Sequence, residues 1–303
     1  MTENAVEFTR LMKRQGRFTL GPLSFAIPRG GIFGLVGPNG AGKTTTLDLL
    51  AGLGGPDSGS VRVHGLDVGT NEVEVKRRLA YAGPETNYAA WRRVGRAIDF
   101  VSGFYADWDE VRCAALLETF ALERAKPIAD LSFGEKNKLS LVMALARDPE
   151  LLVLDEPTTG LDPAARQFLF ADLLRRMQTD RRTIVIATHQ LAELERFADR
   201  VALLDHGQLR LCADLGSLTE RFRQLDIALP EAAEWPPQPG VRLIRRSGDR
   251  ARVLVDREEA RDDWHARLGG APLAESALTL EELYLALVDN HNATAARVAE
   301  SLT

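Results

Sequence analysis

Gly37-Pro38-Asn39-Gly40-Ala41-Gly42-Lys43-Thr44-Thr45 carries the residue types that hold a polyphosphate. Glycines at 37, 40 and 42 let the backbone curl so that successive N–H groups point inward with no Cβ in the way. At this spacing Lys43 reaches the β- and γ-phosphates of a nucleotide, and Thr44 offers its hydroxyl to Mg²⁺. The run follows the apolar stretch Ile32 to Val36 and precedes Leu47 to Leu50. That context predicts a loop between a buried strand and a helix whose positive end starts near Lys43. The bland alternative is a glycine-rich turn that only connects the two elements. It does not account for the Lys and Thr that close the run.

Two further places bring chemistry to the ends of apolar runs. Asp155 and Glu156 directly follow Leu151 to Leu154, and His189 follows Thr183 to Ala187. Both runs read as fully buried parallel strands, with a helix from Ala164 to Met177 between them. Strand, helix and strand in that order predict right-handed crossovers and a ligand at the carboxyl ends of the strands. Asp155, Glu156 and His189 all fall at such ends.

The remaining chain supplies what must position these groups. Val6 to Ile27 alternates apolar stretches with turns at Gly16 and Gly21-Pro22, as a small antiparallel sheet does. Ser60 to Gly65 reads as a short strand on which His64 faces solvent. Between Leu79 and Trp108 the aromatics Tyr81, Tyr88, Trp91, Phe100, Phe104, Tyr105 and Trp108 gather. Helical spacing of Ile98, Val101 and Tyr105 predicts a helical lobe with Phe100 and Phe104 in its core. Trp91, followed by Arg92 and Arg93, reads equally as core or as a protein-docking patch. Further helices are predicted from Val111 to Leu122 and from Lys136 to Arg147. Beyond Leu215 prolines interrupt the chain, β-like stretches follow at 241 to 244 and 251 to 255, and a helix runs from Leu280 to Val288.

With 303 residues and 45% apolar content the chain supports one large domain and an appendage. A net charge of -5 argues against a nucleic-acid footprint, so no nucleic-acid partner is expected. No run approaches the ~20 apolar residues that cross a bilayer, and the first residues do not form a signal peptide. A cytoplasmic chain is expected, with Cys113 and Cys212 as packed thiols.

The order of the motifs resembles the ATP-binding cassette (ABC) ATPases over roughly residues 4 to 212. Leu131-Ser132-Phe133-Gly134-Glu135 resembles their signature sequence, Leu151 to Glu156 their Walker B strand, and Thr159-Gly160-Leu161-Asp162 their D-loop. His189 resembles the switch histidine, and Tyr81 to Glu85 sits where that family has its Q-loop. The nearest group is the bacterial ABC-2 type exporters. The resemblance implies an α/β P-loop NTPase with a mainly parallel sheet, an antiparallel β subdomain and a helical signature subdomain at about 86–148. The ATP-binding domain is then 1–215, the small α+β C-terminal appendage 216–289, and a flexible tail 290–303.

The implied activity is ATP hydrolysis with Mg²⁺. Lys43 neutralises phosphate charge, Thr44, Asp155 and Glu85 serve the metal, Glu156 polarises the attacking water and His189 holds it in line. The loop Gly37 to Thr45 binds the phosphates, and Phe18 is the aromatic nearest to the adenine position, where the chain itself has Gln15. Ser132, Phe133, Gly134 and Glu135 of one subunit meet the ATP of another, with Asp162 alongside. Two ATP-binding subunits therefore sandwich the nucleotide, as homodimer or heterodimer. The partner in the membrane is an integral permease, received near Trp91 and Arg92, which places the chain on the inner face of the cell membrane. Glu85 stands in place of the family's glutamine, and Phe133 in place of a common glycine. The alternatives are a soluble ABC ATPase associated with ribosomes or DNA, and a weakly hydrolysing regulatory half of a heterodimer.

Overall fold

The computed structural model describes residues 3–84, 86–179, 182–228, 239–260 and 271–288. The expected tail, 290–303, lies outside the described residues, as does Glu85.

The amino-terminal alternation folds as expected into antiparallel strands, β1 (Asn4–Gln15) and β2 (Phe18–Pro28), and continues after β3 (Gly31–Val36) and α1 (Lys43–Leu50) with β4 (Ser58–Val63) and β5 (Leu66–Asp67). These form a four-stranded sheet in the order β2-β1-β4-β5. Gly21-Pro22 is no chain reversal. β2 runs through it with a register shift against β1 between Leu11 and Lys13, and the Gly21 N–H is taken by Gly207 O at 2.7 Å. His64 also departs from expectation: its side chain is only 3% exposed, 3.8 Å from Glu150. A positive φ of 49° at the end of β4 turns the ring inward, where a regular strand would have kept it on the solvent face.

After α2 (Glu72–Arg78) and β6 (Leu79–Ala82) come α3 (Val94–Ser102), α4 (Glu110–Thr119), α5 (Phe133–Leu145), β7 (Leu151–Asp155), α6 (Pro163–Thr179), β8 (Thr183–Thr188), α7 (Leu191–Leu194), β9 (Arg200–Asp205) and β10 (Gln208–Asp214). The second sheet has the order β10-β9-β3-β8-β7-β6. Its strands β6, β7, β8, β3 and β9 are parallel. Every residue of β7 and β8 is buried, which is why these strands read as unbroken aliphatic runs. One core cluster joins both sheets and α1 through Leu11, Leu23, Leu47, Val61, Val153 and Val185.

The helical lobe is formed by α3, α4 and α5. α5 begins at Phe133, earlier than the apolar spacing indicates, because Ser132 and Glu135 make a reciprocal capping box. Phe100 and Phe104 are not core residues; they are 49% and 66% exposed. α3 buries the face bearing Val94, Ala97 and Ile98, which leaves the phenylalanines on the outer side.

The remaining elements are α8 (Leu215–Arg221), β11 (Phe222–Ala228), β12 (Val241–Ser247), β13 (Arg250–Asp256) and β14 (Ala271–Ala277). They are followed by a helix at 280–288. The strands form an antiparallel sheet in the order β12-β13-β11-β14, with its own core around Ile227, Val241, Ala251, Val253 and Val255. The chain divides into two compact units. One comprises Met1–His189 and Phe197–Cys212, and the other Gln190–Arg196 with the residues from Ala213 onward. Among the described residues no helix is long and apolar enough to cross a membrane.

Candidate active site

β3 is flanked by β9 and β8, so the loop that leaves its carboxyl end emerges at the middle of the large sheet. Gly42 has φ 103°, a left-handed conformation that an L side chain resists, and it is the N-cap of α1 without any side-chain cap. The first amides of α1 therefore face the loop with their positive ends unclaimed by a side chain. A Cβ on Gly42 would also come within 3.0 Å of the Phe18 ring. Phe18 is thus engaged in packing beneath the loop, against the main core. Gln15, which is exposed, is the side chain beside Thr45, with Thr45 Oγ1 donating to Gln15 Oε1 at 3.3 Å.

Lys43 is 6% exposed. Its ammonium curls back over the loop and donates to Gly37 O at 2.8 Å and Pro38 O at 3.2 Å. It also lies 3.5 Å from Glu156 Oε1. The Thr44 hydroxyl donates to Asp155 Oδ2 at 2.7 Å. The second oxygen, Asp155 Oδ1, is buried with no hydrogen-bond partner. Burial is the main cause that pushes the Asp155 carboxyl up to about 6; the Thr44 hydroxyl lowers it, the neighbouring Glu156 raises it and Lys43 lowers it.

Glu156 sits one residue beyond β7 with φ 46°, an uncommon region for a residue with a side chain. The conformation is held by its own N–H, which donates to Ala187 O on the neighbouring strand at 2.8 Å. It turns the carboxylate between two partners. Glu156 Oε1 faces Lys43, and Oε2 lies 2.9 Å from His189 Nδ1 and accepts from the Thr188 hydroxyl at 3.4 Å. Lys43, Thr44, Asp155, Glu156 and His189 therefore converge at one end of the sheet, from three separate strand ends. Such a group can neutralise a transferring phosphoryl and take a proton from water in line with it.

The signature residues form a second cluster on the start of α5. Ser132 Oγ accepts the Glu135 N–H at 3.2 Å, and Glu135 Oε2 accepts the Ser132 N–H at 2.9 Å. Lys126 binds Glu135 at 2.6 Å, and these bonds, that of Lys126 first, hold the Glu135 carboxyl at about 2. Phe133 is exposed. Gly134 lies so close to the D-loop that a Cβ would stand 2.6 Å from Gly160 O. Asp162 caps α6 by accepting the Ala165 N–H at 2.9 Å and pairs with Lys138 at 3.2 Å.

Sequence reasoning passed over Asn137. It is fully buried and donates to Pro157 O at 3.2 Å and Thr159 O at 2.8 Å, tying α5 to the segment directly after Glu156. The available signal was a polar residue on the face of α5 that also carries Leu141 and Ala144. Ser140 was missed likewise: it accepts the Gly83 N–H at 3.1 Å and so holds the segment that leads to Glu85. Trp91 and Arg92 stand apart from both clusters, on a short 3₁₀ turn at Ala89–Trp91. Trp91 is half-buried, 5.0 Å from the Phe100 ring, and Phe100 is 5.0 Å from Phe104.

A buried central strand, a glycine loop with its Lys-Thr pair and an acidic pair at the end of β7, two strands away in the same sheet, define a P-loop nucleoside triphosphatase. Residues 20–159 match the family profile described as ABC transporter. The chain is 37% identical over 215 residues, 69% of its length and 70% of the relative's, to a Nod factor export ATP-binding protein I of Paraburkholderia xenovorans (strain LB400). It is 32% identical over 310 residues, 93% of this chain and 92% of the relative, to the daunorubicin/doxorubicin resistance ATP-binding protein DrrA of Streptomyces peucetius. A solved ATP binding subunit of an ABC transporter superposes with a TM-score of 0.64 at 27% identity, over 71% of this chain and 92% of that one. The chain belongs to the ATP-binding subunits of ABC transporters, and it is an ATP hydrolase.

Proposed function

We propose that this chain hydrolyses MgATP to drive a membrane exporter, with Glu156 as general base. The observation that carries the reading is the Glu156 carboxylate held between the Lys43 ammonium and the His189 ring. Glu156 takes the proton of the attacking water, His189 keeps carboxylate and water in line, and Lys43 with the α1 amides stabilises charge on the phosphoryl oxygens. Thr44 and Asp155 fit Mg²⁺: a hydroxyl and a carboxylate lie side by side, and one carboxylate oxygen is buried without a partner. Held by Thr44 and Asp155, the ion would supply positive charge to neutralise phosphate charge. Glu85 is a further ligand candidate.

Ser132 and Gly134 act on the nucleotide of a second ATP-binding subunit, so two copies, or this chain and a similar one, close around ATP. The separate signature cluster at a helix start supports this, since its Ser132 and amides suit an anion brought from outside. An integral permease docks at Trp91 and Arg92. The row Tyr88, Trp91, Phe100 and Phe104, half-buried to exposed, supports that surface, as does the adjoining cleft of about 220 Å³ lined by Tyr81, Tyr88, Tyr105 and Arg147. Export as the direction is supported by the relatives named for Nod factor export and for drug resistance. The chain then works at the inner face of the cell membrane.

The test is Glu156→Gln. It is expected to keep ATP binding, lose turnover and accumulate as an ATP-bound dimer. Purified with ATP from detergent-solubilised membranes, it should bring a polytopic membrane protein. Ribosomes or nucleic acid in its place would overturn the transporter reading.

A further inference from the structure

His189 is the last residue of the ATPase unit before the chain leaves it. Gln190–Arg196 groups with the C-terminal unit, and the chain re-enters the ATPase unit at Phe197. The excursion holds α7, whose Leu191 and Leu194 are buried. At its end Glu195 Oε1 accepts the N–H of Leu280 at 3.2 Å.

Leu280 opens the helix at 280–288. Amides at a helix start lack intrahelical partners. Here Thr279 Oγ1 accepts the Glu282 N–H at 3.2 Å, and Glu282 Oε2 accepts the Thr279 N–H at 2.9 Å. That capping box does not serve the Leu280 N–H. Leu280 and Leu283 are buried, so water does not readily replace a lost acceptor there. Glu195 is the acceptor, and its charge also suits the positive end of the helix.

The path from Glu195 back to His189 is short, one helical turn. Glu195 N donates to Leu191 O at 2.9 Å and Leu194 N to Gln190 O at 3.4 Å, so backbone hydrogen bonds of one turn link Glu195 to Gln190. Gln190 is bonded directly to His189. A hydrogen bond such as the 2.9 Å contact from His189 Nδ1 to Glu156 weakens steeply with small misplacements.

We propose that Glu195 is a positioning residue for hydrolysis. Its bond to Leu280 lets the C-terminal unit hold Gln190–Arg196 and thereby set His189 against Glu156. The inference rests on the reading of His189 as the residue that orients Glu156. It gives the appendage a function: whatever orders or loosens its helix at 280–288 changes turnover without touching the nucleotide.

The experiment compares kcat and KM for ATP in the full chain for Glu195→Ala, Glu195→Gln, His189→Ala and the double variant Glu195→Ala/His189→Ala. Loss of the bond is expected to lower kcat about 5- to 10-fold with KM unchanged. Glu195→Gln keeps an acceptor oxygen in place and should return kcat to within about twofold of wild type. On the His189→Ala background Glu195→Ala should cost nothing more, since its route is already cut. An undiminished kcat in Glu195→Ala overturns the proposal. So does a further fall on the His189→Ala background, or a Glu195→Gln variant as slow as the alanine. A His189→Ala protein with wild-type kcat removes the reading of His189 itself, and the inference with it. Faster hydrogen exchange at the Leu280 amide in Glu195→Ala, with KM held, marks the bond as cut in a folded protein.

Discussion

Glu156 and His189 stand 33 positions apart in sequence, yet Oε2 of one lies 2.9 Å from Nδ1 of the other. Each is the first residue beyond its strand, and those strands, β7 and β8, are parallel neighbours with Asp155 in register with Ala187. The pairing of carboxylate and imidazole is therefore a product of strand register. A slip of one residue would turn either side chain to the opposite face of the sheet.

Replacing Glu156 by glutamine keeps the shape and removes the proposed base. The expected loss in kcat is about 10²- to 10⁴-fold, with ATP affinity within a few-fold of wild type. Single-turnover hydrolysis alongside nucleotide titration checks this.

Asp155 gives a pH signature in the nucleotide-free, metal-free protein. Burial lifts its carboxyl from 3.8 to about 6, so the folded state holds the proton more tightly than the unfolded chain. Its contribution is therefore most favourable below the unfolded value and is lost as pH rises through the folded one. Asp155→Asn should raise stability more at about pH 7.5 than at about pH 4.5, by roughly 2 kcal/mol, in urea melts with chelator present.

Gly134→Ala places a methyl 2.6 Å from Gly160 O, a backbone atom that cannot swing away. The start of α5 or the D-loop must shift, at a cost of about 1–3 kcal/mol. ATP-driven dimerisation of this variant in the Glu156→Gln background, followed by light scattering, should weaken, while ATP binding to the single chain persists.

Phe18→Ala opens space beneath Gly42. The expected result is a loss of stability of about 2 kcal/mol or more, seen as a lower melting temperature, together with a few-fold weaker ATP affinity as the loop loosens. Gln15→Ala, at an exposed side chain, should leave stability within about 0.5 kcal/mol of wild type. Paired thermal melts and nucleotide titrations separate the two.

Trp91→Ala should release the permease while leaving the ATPase rate of the isolated chain unchanged. Co-purification with the Glu156→Gln trap reads the first effect and steady-state hydrolysis the second.

The candidate nucleotide site was legible in the sequence because the proposed chemistry demands contiguous residues: Lys43 and Thr44 next to their glycines, Asp155 and Glu156 next to each other. Buried parallel strands were legible for a related reason, since β7 and β8 are apolar on both faces. What depends on which neighbour covers a surface was not. Phe100 and Phe104 share helical spacing with other apolar residues, but the face α3 buries is the one with Val94, Ala97 and Ile98. His64 turned inward through a backbone conformation that its residue type does not announce. In the C-terminal region β12 and β13 were found through their aliphatics, whereas β11 and β14, mixed with Arg, Gln, Glu and Ser, carry too little alternation to stand out. Asn137 was hidden because its role is to reach backbone carbonyls of a distant loop, and backbone carries no letter.

The capping box at the start of α5 has a consequence for Ser132. A hydroxyl has one proton to give and two lone pairs, and one lone pair is already committed to the Glu135 amide. That bond fixes the position of the oxygen while its proton stays free to rotate outward, so the hydroxyl can still donate to an arriving phosphate oxygen and keeps one lone pair besides.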